Sequence, residues 1–459
     1  MFRRGACPAL SAPMQTGDGL LVRLATAGEG LSSRSVRALC DAARRHGNGL
    51  VEITARGNFQ IRGLTERSAA ALAQNIEAME LGLRDGVPVE TNPLAGLDSS
   101  ETANAAPLAA AIRQAIDATD LKPRLAPKVS VIVDGGGATT LADIAADIRL
   151  DAIAATDWLI SIGGGRQSAR PLRVVDEAAA AGAVMTILEA IATQGAHLRA
   201  RDLTQESIAS ILSEQFSSSP PHPAALQPPS PRGGEEKGRH LSPVPSPLIL
   251  SLSKDGERTR AKRPGEEATP LPLTDGRFAI RVALPFGSIE AGELNAFLDR
   301  ASEITELRFA PGRAAALLCE SEQVALRLRE LADQAGLITS ADDPRARIFA
   351  CPGTQGCASG FIPARKIARD IARELPTEIA SLHISGCAKG CAHPAKAAFT
   401  LVGTENGSEL VRDGTARQTG EHFGNGDIAR RLAGLMTAGR QVNAPVKPPR
   451  TFEQASAGD

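Results

Sequence analysis

Short runs in which apolar residues crowd around one or two polar ones alternate along this chain with stretches whose apolar residues recur every three or four positions. The first run, "LLVRL" at 20–24, reads as a strand, and Val36, Leu39, Cys40 and Ala43 after it fall on one helical face. "LVEITARGNFQIRGL" (50–64) then offers two more strands, and another helical period follows to residue 76, so the order is β-α-β-β-α. That order returns at 278–331, where "FAIRVAL" precedes a helix marked by Leu294, Phe297 and Leu298, and Arg281 falls opposite Arg23.

The repeat continues beyond these units. "NPLAGLD" (92–98), a helical stretch near 103–117, the strand in "KVSVIVDGGG" (128–137) and "WLISIGGG" (158–165) run parallel to a second series. That series is "CPGTQGC" (351–357), a helix near 362–374, "LHISGC" (382–387) and "AAFTLVG" (397–403). Between the two copies lies 217–273, which holds 12 of the chain's 30 prolines with Ser, Gly and mixed charge and no sustained apolar period. It predicts a disordered linker in which His222 and His240 carry no chemistry. Five segments follow: β-α-β-β-α units at 15–85 and 274–338, α/β units at 86–216 and 339–445, and the linker at 217–273. A duplicated α+β chain with pseudo-twofold symmetry is expected.

Composition narrows the function. Apolar residues make up 42% of the 459 but aromatics only 3%, with one Trp and no Tyr, so few rings exist on which bases could stack. The net charge of −1 provides no field to recruit nucleic acid or an anionic membrane. Neither partner is expected, and any anion site must be local. Pro8 and Pro13 interrupt the amino-terminal segment, and no apolar stretch approaches the ~20 residues of a membrane span, so a cytoplasmic location is expected.

Of seven cysteines, four crowd into residues 351–391. Without a secretion signal, such a cluster points to metal binding or catalysis before disulfides. Cys387 and Cys391 stand four apart, a spacing that puts both sulfurs on one face if the segment is a helical turn. Cys351 and Cys357 enclose "PGTQG", whose two glycines let a loop fold round and aim N–H groups at sulfide. Structural zinc sites favour closer pairs than C-x₅-C. Cys40 and Cys319, in apolar stretches, are expected in the core.

The pattern C-x₅-C…C-x₃-C, with Gly386 before the third cysteine, resembles the 4Fe–4S signature of the sirohaem-dependent nitrite and sulfite reductase family. That family is also internally duplicated. The resemblance implies two ferredoxin-like half-domains and two α/β half-domains related by a pseudo-twofold axis. It implies cluster ligation by Cys351, Cys357, Cys387 and Cys391, with Cys391 at the position that bridges to sirohaem iron in the reductases.

Porphyrin-like rings of this kind carry acetate and propionate groups, which call for Arg and Lys donors. "TARGNFQIRG" (54–63) resembles the family's ring-binding segment and supplies Arg56, Asn58, Gln60 and Arg62; an ordinary edge strand with solvated arginines is the alternative. Arg56 and Arg62 share parity, so a regular pleat would face them one way. The equivalent "FAPGRAAALL" (309–318) lacks this polar set, which points to a one-sided site. Arg23 and Arg166 are further candidates. Lys128 matches the first of two family lysines in K-x-K spacing, but Ser130 holds the second place and removes a cation from where nitrite or sulfite would bind. His383 and His393 flank the last two cysteines as candidate iron ligands or proton donors.

"RRGACPALSAPMQTGDGLLVRL" (3–24), "VDGGG" (133–137), "ADIRL" (146–150) and "HISGCAKGCAHPA" (383–395) resemble the cobalamin-pathway branch of the family. There the macrocycle is substrate. The resemblance implies a monooxygenase that uses O₂ and an electron-donor system such as NADH to hydroxylate precorrin-3A at C20, with a γ-lactone closing onto C1. A mononuclear non-haem iron is a further candidate cofactor. Two alternatives stand beside this reading. One is an assimilatory nitrite or sulfite reductase, which would hold sirohaem; the other is a non-catalytic tetrapyrrole-binding or redox-sensing iron–sulfur protein.

Overall fold

The computed structural model describes residues 8–26, 30–84, 86–214 and 268–423, together with 428, 430–432 and 434. Cys7, His222, His240 and most of the expected linker lie outside these residues. Residues 268–273, expected to belong to the linker, are part of the fold. Leu271–Pro272 pairs antiparallel with Phe278–Ala283, while Ala268 and Leu273 are buried, so apolar packing starts the second copy earlier than proline content implied.

The described residues form four sheets. The first is ordered Met14–Thr16, Gly19–Leu24, Phe59–Leu64, Leu50–Ile53 and Ser288–Glu290; the second is Leu271–Pro272, Phe278–Ala283, Ala314–Cys319 and Glu306–Ala310. The two copies lend each other backbone at matching places. Ser288–Glu290, just before helix Ala291–Arg300, pairs with Leu50–Ile53. Reciprocally, Leu31, just before helix Ser33–His46, exchanges two 2.7 Å hydrogen bonds with Leu307 on the second sheet's edge strand. Each otherwise exposed edge is thereby covered. Leu39, Val51 and Ile61 of the first copy and Ile280, Leu298 and Leu328 of the second belong to one hydrophobic core, so 15–85 and 274–338 pack as one body. The helices start where capping residues stand. Ser32 and Ser321 accept amide hydrogen bonds, and Thr65 with Ser68 forms a reciprocal capping box.

The other two sheets repeat each other. Val89–Thr91, Val131–Asp134, Ala146–Ala152, Asp157–Gly164 and Arg170–Asp176 are joined parallel, parallel, antiparallel, antiparallel. Ile348–Ala350, Leu382–Ser385, Ala397–Thr404, Gly407–Gly414 and Glu421–His422 follow the same sequence of pairings. This corrects one detail of the repeat. The counterpart of Ala397–Thr404 is Ala146–Ala152, while the strand around Trp158 matches Gly407–Gly414. Neighbouring antiparallel strands of similar apolar content are interchangeable by pattern alone. Helix Ala105–Asp117 lies where the period placed it. The helix expected near 362–374 comprises Ala364–Ile371 and a 3₁₀ turn to Glu374. No helix among the described residues is long and apolar enough to cross a membrane.

Candidate functional site

The cysteines sit where two parallel strands end. Ile348–Ala350 runs straight into Cys351 and Leu382–Ser385 into Gly386 and Cys387; register pairs Ala350 with Ile384, so both loops leave one edge side by side. Ligands of open α/β sheets bind beyond such carboxyl ends. The Gly386 N–H donates to the Cys351 sulfur at 3.1 Å. Glycine is required here by close approach: a Cβ on Gly386 would meet the Gly353 Cα at 2.9 Å, and one on Gly353 would meet the Ile362 carbonyl oxygen at 2.2 Å. Cys387 and Cys391 do not lie on a helix. Gly390, at φ +62°, turns the chain between them. A Cβ there would stand 3.1 Å from Ala416, so the four-residue spacing serves a tight turn.

Burial raises the thiol pKa of Cys351, with Cys357 and Cys387 adding to it; burial likewise raises Cys391, with Cys351, Cys387 and Cys357 adding. The four sulfurs thus share one electrostatic neighbourhood. Among the described residues no three His, Cys, Asp or Glu side chains meet where a single metal ion would bind. The Gly386 amide aimed at the Cys351 sulfur is the kind of hydrogen bond that the ligands of an iron–sulfur cluster accept. Cys40 and Cys319 are fully buried, and burial pushes the Cys40 thiol up to about 12.

His383 lies beneath the Gly390 turn, fully buried, with no partner for either ring nitrogen among the described residues. Its ring meets that of His393 edge-on at 5.8 Å, while His393 stacks on Phe349 at 4.1 Å and sets Nε2 3.2 Å from the Lys396 carbonyl.

A charged chain connects the first copy to the cysteine loops. Arg23 donates to Gln60 Oε1 at 2.8 and 2.9 Å, and Gln60 Nε2 donates to Glu52 at 2.7 Å. Arg62 grips Asp18 at 2.8 and 3.0 Å, reaches Glu52 at 3.4 Å and donates to the carbonyl of Gly356, the residue before Cys357. Arg365, on the helix of the cysteine half, completes the set on Glu52. Burial alone would raise the Glu52 pKa, but Arg365 and Arg62 outweigh it and hold the carboxyl below its usual range. Arg62 is therefore a strut, its fork fully engaged, and not a spare donor for a ring carboxylate.

Arg56 points elsewhere. The strand begins only at Phe59, so Arg56 lies in the turn ahead of it with Gly57 at φ +80°, and no shared pleat aligns it with Arg62. It pairs with Glu90 at 2.6 Å and with the Ala145 carbonyl. Burial raises Glu90, opposed by Arg56, Arg23 and Arg84, so three arginines converge on one carboxylate. Arg56, Asn58, Arg84, Glu90 and Arg308 line a narrow cleft. Arg84 also lines an adjoining one of about 400 Å³ with Arg23, Leu24, Ile76 and Leu83. Lys128 is exposed and outside both clefts. So is Arg166, whose Nε stands 3.7 Å from Asp151. Ser130 is buried with its amide on Asp147, which Arg199 neutralises, so this position supplies no cation.

The sequence reading missed Glu52, Arg84, Glu90, Arg308, Arg313 and Arg365. Arg313 had a signal: Gly57 and Gly312 share φ near +80° at the tips of matching hairpins, which sets Arg313 where the first copy has Asn58. The second copy is not bare. Arg313 Nη2 donates to the Ala392 carbonyl at 2.7 Å, directly after Cys391.

Residues 12–79 match the family model of the nitrite/sulfite reductase ferredoxin-like half domain. Over 423 residues the chain is 36% identical to a precorrin-3B synthase of a Sinorhizobium species, a match that covers 90% of this chain and 84% of that protein. The chain belongs to the precorrin-3B synthase family. Its kinship with the reductases is visible in a shorter match, 35% identity over 131 residues, to a coenzyme-dependent sulfite reductase of Methanocaldococcus jannaschii. That match covers 26% of this member of the precorrin-3B synthase family and 20% of the reductase. The fold is shared with the NirA protein of Mycobacterium tuberculosis at a TM-score of 0.65 and 18% identity, covering 94% of this chain and 82% of that one. The internally duplicated, reductase-like α+β architecture is thus that of this precorrin-3B synthase family member.

Proposed function

We propose that the protein converts precorrin-3A to precorrin-3B, hydroxylating C20 while the ring A acetate closes a γ-lactone onto C1. One atom of O₂ enters the product and the other leaves as water, so two electrons come from an external donor such as NADH. Cys351, Cys357, Cys387 and Cys391 would hold a 4Fe–4S cluster, which when bound passes electrons singly. The observation that carries the reading is the hydrogen-bonded link between two parts: glycine-packed cysteine loops, and an arginine-lined pair of clefts tied to them through Gln60, Glu52 and Arg62.

Arg56 and Arg23 are the donors assigned to the substrate's carboxylates, with Asn58 beside them. Glu90 holds the guanidinium of Arg56 in place until a ring carboxylate competes for it. Lys128 and Arg166, exposed and outside the clefts, are assigned to the outer carboxylates. Ser130 weighs against the reductase alternative, since a small anion needs a second cation there.

Arg56→Ala is expected to weaken precorrin-3A binding about 10- to 150-fold, the loss of a charged hydrogen bond worth about 1.5–3 kcal/mol, with the cluster's absorption unchanged. Fluorescence or absorption titration under anaerobic conditions measures this. An unchanged affinity would remove Arg56 from the site.

A further inference from the structure

Arg313 stands in an unusual position. Its backbone is at φ +62°, a region L side chains rarely adopt. Gly287, at φ +78°, lies against it, since a Cβ there would sit 2.5 Å from the Arg313 Cδ, and Phe286, buried and at φ +56°, directly precedes Gly287. Strained residues gathered in this way mark sites where geometry is held for use. Its guanidinium lies 5.6 Å from the centre of the Phe349 ring and makes one hydrogen bond among the described residues, to Ala392. No carboxylate pairs with it there.

We infer that Arg313 is a positioning residue that sets a positive charge, in no ion pair among the described residues, against the Cys391 loop, raising the reduction potential of the group the cysteines hold. The inference rests on the cluster reading above. Net charge and local hydrogen bonds are the levers by which a protein moves an iron–sulfur potential, and this cation comes from the hairpin of the same copy that carries the four cysteines. Electrostatics agrees with the geometry. Burial, with repulsion from Arg365 and only partial relief from Glu52, lowers the Arg313 pKa to about 10, which still leaves it charged at neutral pH. The Ala392 carbonyl fixes where that charge stands.

The test uses the full chain reconstituted anaerobically with iron and sulfide, followed by a redox titration read by electron paramagnetic resonance. Arg313→Asn and Arg313→Gly remove the charge, and both residues accept a positive φ, so each keeps the turn. Arg313→Lys keeps the charge. The neutral variants should take up as much iron as the wild type yet show about a tenfold smaller reduced-to-oxidised ratio at the wild-type midpoint, about 59 mV for one electron. The lysine variant should stay near the wild type. Equal potentials in all four would overturn the inference and leave the cluster reading standing. A lysine variant as low as the neutral ones would overturn it too, because the grip on Ala392 would then matter and not the charge. Iron uptake lost from both neutral variants but kept with lysine would make Arg313 an assembly residue, again against the inference. Failure of the wild type to take up iron would overturn both readings together.

Discussion

Cys387→Ala should abolish cluster assembly and all turnover. Cys387 follows Gly386, whose amide already points at the Cys351 sulfur, so its thiol joins the two loops at the strand ends. Its loss leaves three thiols and opens one side of the site to solvent. Iron content after anaerobic reconstitution should fall from about four per chain towards none, and the broad visible absorption should go with it. Cys40→Ala is the matched control. Cys40 is buried in helix Ser33–His46, far in function from the loops, so its removal costs packing and not iron. Full iron uptake by Cys387→Ala would remove this residue from the ligand set.

Glu52→Ala should be the most destabilising single change in the polar network, by about 3–5 kcal/mol, because it strands Arg365 in the interior without its carboxylate and leaves Arg62 with Asp18 alone as a charged partner. The midpoint of urea unfolding reports it. Asp41→Ala, which removes an exposed hydrogen bond to Asn295, should cost well under 1 kcal/mol. The effect of Glu52 also has a pH signature. Its folded carboxyl titrates below the ordinary value of 4.5, so its contribution is complete above that value and disappears as pH falls through the folded pKa. The gap between wild type and Glu52→Ala should therefore be constant from pH 6 to 8 and narrow below about pH 4. A gap that widened in acid would mean that Glu52 is held protonated.

Much of this is legible in the sequence. Apolar periodicity placed the duplicated β-α-β-β-α units, and glycine-flanked cysteines located the loops beyond the strand ends. What stayed hidden depends on side chains meeting across large sequence distance. Glu52 lies in "LVEI", a strand legible from its apolar pattern, but only the fold brings Arg365, more than three hundred residues later, against it. Parity misled at Arg56, because the hairpin turn interrupts the pleat before Phe59. The four-residue spacing of Cys387 and Cys391 suited a helix equally well until Gly390 was seen at positive φ. Arg62 matched a binding motif by residue type, yet its surroundings make it a strut. Residue type fixes what a side chain can bind; only the neighbours decide whether it is already bound.

The most direct test of the central claim is turnover of precorrin-3A by the anaerobically reconstituted protein, supplied with a reductant and then with oxygen-18 gas, the product read by mass spectrometry. One labelled oxygen per product molecule, with no sirohaem in an acid–acetone extract, is the predicted result. Stoichiometric sirohaem in the extract, together with sulfite or nitrite reduction and unchanged precorrin-3A, would contradict it.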